Sequence, residues 1–266
     1  MNHFKNSENK SKFNQIFLDC IPSSKGDNDG ILSTPHRFLL CFGSSKTCSD
    51  AYVAKPALSH PLSQKYQNLI DSQCENGPDI ALILDVSGIV NDIDLWIVRY
   101  FVKAVTGQIF NLCPKLNTAI VSFGEEATVV KNFSKIFSLP EFSKALDLLT
   151  PLQGDRTMTY KGLRVTSERV FPFSRKNVSK IAILITHGEN TPPYTPDEAA
   201  RELIETGVRL FGVDVAFYAR RHGELQRITE RRGDVIYLEM FHYIFDYVDT
   251  MVSKIIAAVG KTIGVN

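Results

Sequence analysis

The chain has 266 residues, 44% of them apolar and 22% charged, with a formal net charge of +1. That size and balance suit one large globular domain, alone or with a tail. A charge so near zero excludes a bulk field drawing the chain to nucleic acid or an anionic membrane, and no apolar stretch reaches the ~18 residues that span a bilayer.

Residues 1 to about 75 carry no sustained hydrophobic period and are rich in Ser, Asn, Lys and Pro. They read as a disordered or loosely structured segment, with a short helix over Ser63–Gln73 leading into a domain at residues 76–262. The opening MNHFKNSENK lacks the apolar core of a signal peptide. Either the chain is not secreted by the usual route or its start is missing.

Ile80–Leu84 is an unbroken apolar run, the pattern of a strand buried on both faces. It ends in Asp85, Ser87 and Gly88. A carboxylate and a hydroxyl at the carboxyl end of a central strand lie where α/β sheets place ligand sites. Asn91–Phe110 reads as a helix, capped by Asn91 or Asp92. Its apolar face is Ile93, Trp96, Ile97, Tyr100, Phe101, Ala104 and Val105, with Trp96 expected in the core. Leu116–Phe123 and Ala127–Phe133, joined by Gly124-Glu125-Glu126, read as an antiparallel hairpin. Helices follow at Pro140–Leu149 and Lys161–Phe171, separated by the polar loop QGDRTMTY. Ile181–Ile185 is another buried strand, running into Thr186-His187-Gly188. Then come a helix at Pro196–Glu205, a strand at Arg209–Phe217, a short helix at Leu225–Arg231, a strand at Val235–Leu238 and a long amphipathic helix at Phe241–Val259. This alternation predicts an α/β fold: a doubly wound, mostly parallel six-stranded sheet with helices on both faces, in which the hairpin supplies one antiparallel strand.

Read in order, DIALILDVSGI, TAIVSFGEEATVVKNF, GDRTMTYKGLRVTSERVF and IAILITHGEN resemble a von Willebrand factor type A domain of the matrix and integrin inserted-domain style. GVRLFGVDVAFYARRHGELQRIT also has the family's shape. The resemblance covers about two thirds of the chain. It implies a sheet with the first strand central and the third as an antiparallel edge strand, and a metal-ion-dependent adhesion site (MIDAS) at its top, with magnesium held by an Asp, two Ser, a Thr and a second Asp. Carried over, these positions are Asp85, Ser87, Ile89, Thr157 and His187. Two depart from the family: Ile89 supplies no oxygen, and His187 supplies a nitrogen without a negative charge. Hard cations take oxygen ligands and imidazole suits zinc or copper, so the site reads as degenerate. Asp85, Ser87 and Thr157 remain as the metal-binding candidates. No resident cofactor is expected, and magnesium would bind weakly.

The resemblance implies a non-enzymatic, adhesion-type binding module, extracellular and associated with matrix or cell surface. Its partner would be a protein, collagen or another matrix component, met at the top face. Alternatives are an intracellular scaffold and a structural matrix subunit whose site has decayed. A hydrolase built on Asp85, Ser87 and His187 is disfavoured, because Ser87 is not in a G-x-S-x-G elbow. Arg232-Gly233-Asp234 spells RGD, read here as turn chemistry. Arg220, Arg221, Arg227, Arg231 and Arg232 form a basic cluster, read as a solvated face. Five cysteines include no C-x-x-C pair, which argues against structural zinc. Cys74 and Cys113 both fall at the amino edge of the expected sheet, and the geometry allows a disulfide between them. Asn-x-Ser triplets stand at Asn9, Asn132 and Asn177.

Overall fold

The apolar run of the first strand becomes β1, Asp79–Asp85, every residue of which is buried. Its register is shared on both sides: Leu82 faces Ile120 of β2 (Asn117–Phe123) and Ile183 of β4 (Lys180–Thr186), both parallel to it. A strand with neighbours on both edges and helices over both faces has no wet side, so it carries no polar alternation. β3 (Ala127–Lys131) pairs antiparallel with β2 at one edge, while β5 (Val208–Val215) and β6 (Val235–Leu238) extend the sheet beyond β4. The order is β3-β2-β1-β4-β5-β6, six strands with one antiparallel, as the sequence predicts. The computed structural model describes residues 74, 76–88, 90–134, 137–152, 154, 156–187, 190–215, 223–238 and 241–259. The expected N-terminal segment, apart from Cys74, and the carboxyl end of the expected Arg209–Phe217 strand lie outside them.

The two faces of the sheet differ in size of side chain. Ile80, Leu82, Leu84, Ile181, Ile183 and Ile185 point to one side, where α1 (Asp92–Leu112), α2 (Leu139–Asp147) and α6 (Val248–Val259) cover them. The other side presents the smaller Ala81, Ala119 and Ala182 together with Ile83 and Phe123, covered by α3 (Thr159–Arg169), α4 (Asp197–Glu205) and the short α5 (Gly223–Ile228). Small residues let α3 sit close. A Cβ on Gly162 would lie only 3.0 Å from Ile83 Cγ2 and from Phe123 Cδ1. The floor under the Thr157 loop is thereby held tightly against β1.

Two expectations about helices need correction. Trp96 is 41% exposed, not core. α1 buries Leu95, Ile97, Val98, Phe101, Val102, Val105, Thr106 and Ile109, a face rotated about one residue from the predicted one. The helix is apolar most of the way round, so its periodicity left the choice of face open, and the sheet settled it. Trp96 stacks on Tyr100 on the flank, with centroids 6.0 Å apart, and Tyr100 meets Phe245 edge-on at 5.2 Å. The last helix is also not continuous. Phe241–Tyr247 is 3-10, and the α-helix begins at Val248. An apolar stripe at three- and four-residue spacing suits either geometry over one or two turns.

At the amino end of the sheet, Cys74 and Cys113 are joined as a disulfide, with Cα atoms 4.8 Å apart. Nearby, the fully buried Asp79 takes a fork of hydrogen bonds from Arg175.

Candidate functional site

β1 is followed in the sheet by β2 on one side and β4 on the other, so the chain order reverses at β1/β4. That reversal opens a crevice at the strands' carboxyl ends. Asp85 ends β1, and Ser87, Thr157 and His187 belong to the loops that border the crevice. Asp85 is 5% exposed, and both of its oxygens are engaged. Oδ1 accepts the Ser87 backbone N–H at 2.9 Å; Oδ2 accepts the Thr186 hydroxyl at 3.0 Å and the His187 backbone N–H at 3.2 Å. The carboxylate thus ties its own loop to the end of β4. The Thr157 hydroxyl donates to Ser87 Oγ at 3.2 Å, and both residues are buried. Ile89 lies outside the described residues.

Backbone bonds clasp the same loops. Gly88 N–H donates to the Gly154 carbonyl and Leu152 N–H to the Val86 carbonyl, each at 2.7 Å. A Cβ on Gly88 would fall 2.2 Å from the Gly154 oxygen, so only glycine permits this crossing. A second layer extends outward. The Thr157 backbone exchanges bonds with Thr191 through Thr191 Oγ1 and Thr191 N–H, and Asn190 Oδ1 accepts the Tyr160 N–H. The Asn190 N–H donates to Glu224, and its side-chain amide donates to the carbonyls of Thr191 and Tyr194.

Thr186, Asn190, Thr191 and Glu224 are functional-site neighbours that sequence reasoning missed. Thr186 and Asn190 stand in the ITHGEN stretch already singled out, so a polar residue at the end of a buried strand was the available signal. Around the rim, Leu152 and Tyr194 are 40% and 60% exposed. Arg156 faces Glu125 at 3.5 Å, and Lys161 pairs with Glu126 at 2.5 Å.

Among the described residues, the carried-over positions offer one carboxylate, which already accepts three hydrogen bonds, and two hydroxyls that bond directly to each other, while position 187 brings imidazole. Among the described residues, no three of His, Cys, Asp or Glu converge so as to hold a metal ion.

The other sequence features are accounted for locally. Asp234 of the RGD triplet is buried and takes the Arg209 guanidinium at 2.7 Å, so its carboxylate is committed inside the fold. Arg227 holds Asp197 at 2.5 Å, and that hydrogen bond, ahead of a smaller opposing effect of burial, keeps the Asp197 carboxyl below its ordinary range. Arg231 and Arg232 are exposed; Arg220 and Arg221 lie outside the described residues. A cleft of about 500 Å³ beside the β6 edge is lined by Tyr237, Leu238, Tyr243, Asp246 and Tyr247. Burial, then the neighbouring Asp214, raises the pKa of the Tyr237 hydroxyl.

Residues 79–249 match the model of the von Willebrand factor type A domain family. The chain belongs to that family. It is similar to mouse integrin alpha-11, 25% identical over 153 residues, or 57% of this chain and 13% of that protein. It is also similar to human vitrin, 24% identical over 182 residues, or 68% of this chain and 26% of that protein. The chain therefore spans only a small part of either relative. Among solved structures, proximal thread matrix protein 1 from the mussel byssus superposes with a TM-score of 0.62 at 23% identity, over 70% of this chain and 47% of its own. Another structure of that protein, with a zinc-occupied MIDAS motif, gives 0.62 at 24% identity, over 69% and 46%. Both share the fold. The relatives thus include an integrin and a thread matrix protein. No helix among the described residues is long and apolar enough to cross a membrane.

Proposed function

We propose that the chain is a non-enzymatic, extracellular protein-binding module whose ligand, collagen or another matrix protein, meets the top face of the sheet. One observation carries the reading: the loops around Asp85, Ser87 and Thr157 are cross-tied into a rigid floor, with Leu152 and Tyr194 exposed on the loops beside it. Exposed aromatic and aliphatic anchors around a rigid polar centre are what a protein partner can bury. The Cys74–Cys113 disulfide favours an oxidising compartment over the cytosolic-scaffold alternative. His187 and Ile89 are ligand-face residues here, without a metal between them and the partner.

The test is binding of the purified chain to immobilised triple-helical collagen and to other matrix proteins, with and without chelator. Tyr194→Ala and Leu152→Ala together are expected to weaken the bound partner by more than tenfold, the effect of losing over ~1.4 kcal/mol of anchor contact. Chelator should change nothing. Undiminished binding by the double variant would leave the domain a structural matrix subunit, or place its ligand elsewhere.

The family's metal chemistry supplies a second expected result. Ile89→Ser with His187→Asp restores a hydroxyl and a carboxylate, and should gain magnesium affinity in calorimetric titration. Each single variant should gain less, because the two groups share one ion. A folded double variant with no gain would mean that the direct Ser87–Thr157 bond keeps the loops closed to a cation.

A further inference from the structure

We propose that Asn177 is an N-glycan acceptor when the chain passes through the secretory route, and that Asn132 is not. The proposal rests on the extracellular reading above.

The two triplets Asn132-Phe133-Ser134 and Asn177-Val178-Ser179 both lie near the amino end of the sheet, after β3 and before β4. Their asparagines stand in different surroundings. Asn132 is half-buried and its amide is used at both ends. Nδ2 donates to the Arg169 carbonyl at 3.0 Å, at the end of α3, and Oδ1 accepts the Phe133 N–H at 2.8 Å. A sugar on that nitrogen wedges into the contact between the β3 exit and α3. Asn177 is exposed in the turn before β4, with φ at +59°. Asparagine tolerates this left-handed conformation better than other non-glycine residues, and the turn leaves its side chain in solvent. An Asn-x-Ser triplet on an exposed loop of a disulfide-bonded chain is the setting that N-glycosylation requires.

The order of events follows from Ser179. Its hydroxyl is buried and donates to the Val259 carbonyl at the end of α6. Transfer to Asn177 therefore precedes the docking of α6, at a stage when the contact that occupies Asn132 is already made, because β3 and α3 both lie earlier in the chain. An oligosaccharide moves from a polyprenyl-diphosphate donor: its C1–O bond to phosphate breaks, a bond from C1 to Asn177 Nδ2 forms, the nitrogen gives up one proton, and the lipid diphosphate leaves. Once the chain folds, the seven residues of β4 separate this turn from the crevice. At ~3.3 Å per residue that is roughly 20 Å, so the glycan shields the amino end of the sheet and leaves the ligand face open.

The full chain, placed behind a cleavable leader and secreted from animal cells, tests this by mass spectrometry before and after amidase release of N-glycans. The peptide bearing Asn177 should convert to Asp on release, and the peptide bearing Asn132 should not. Asn177→Gly keeps the turn, because glycine accepts its φ, and should remove one glycan; Asn132→Gln should remove none. A secreted chain with Asn177 bare, or with its sugar on Asn132, overturns the proposal. The added leader forces entry into the secretory route, so that outcome speaks to the acceptor alone. The extracellular reading fails separately, if the natural transcript leaves its product inside the cell.

Discussion

Arg175→Ala should lower the stability of the domain by about 3 kcal/mol, a large share of the roughly 5–15 kcal/mol that holds a typical domain folded. Asp79 is fully buried at the start of β1. Its Oδ1 accepts Arg175 Nε at 2.8 Å and Nη2 at 2.5 Å, and its Oδ2 accepts the Arg175 N–H at 2.7 Å and the Ser174 hydroxyl at 3.0 Å. The same guanidinium donates to the carbonyls of Asn76 and Pro78, lacing the entry of β1 to the connection before β4. Truncation leaves a carboxylate out of water with only two of its four donors. About a third of the arginine side chain is exposed (35%), so water can partly replace it, and the cost falls at the low end of the ~3–5 kcal/mol seen for broken buried pairs. Arg175→Lys should lie between, since an ammonium cannot reproduce the fork. Urea unfolding reads the effect as a lower midpoint at unchanged slope. A loss within the ~0–1 kcal/mol of a surface pair would show that the fork does not act on a buried charge.

Removal of the disulfide should cost about as much or more. Cys74 and Cys113 are 39 residues apart in sequence and close a loop spanning β1 and α1. The loop-entropy relation gives about 4 kcal/mol for a ring of that length. Both cysteines are buried, so the variant to make is Cys74→Ala with Cys113→Ala, which avoids placing hydroxyls in the core. Reductant should lower the wild-type midpoint to that of the double variant and leave the double variant unmoved. A wild type indifferent to reductant under unfolding conditions would mean that the bond contributes nothing.

These two staples were unequally legible. The cysteines could be paired because the strand–helix alternation placed both at one edge of the sheet, a deduction from chain direction alone. Arg175 could not be assigned to Asp79, because they lie 96 residues apart and neither belongs to a recognisable motif. The same division runs through the candidate site. Asp85, Ser87, Thr157 and His187 were found as strand-end and loop residues in sequence stretches of family type. That Thr186 holds Asp85 Oδ2, that Ser87 and Thr157 bond to each other, and that Gly88 crosses Gly154 were visible only once the loops were in place.

By itself the sequence determined the strand and helix order and the one antiparallel pairing. Buried parallel strands leave continuous apolar runs, and right-handed crossovers leave few ways to join them. Tertiary structure alone decided which face of α1 is buried, where the last helix changes from 3-10 to α, and that Asp234 of the RGD triplet is locked onto Arg209. Each of these depends on which surface or charge arrives from elsewhere in the chain. A helix apolar most of the way round fits a sheet in more than one rotation, and a carboxylate is available for binding only if no distant arginine has already claimed it.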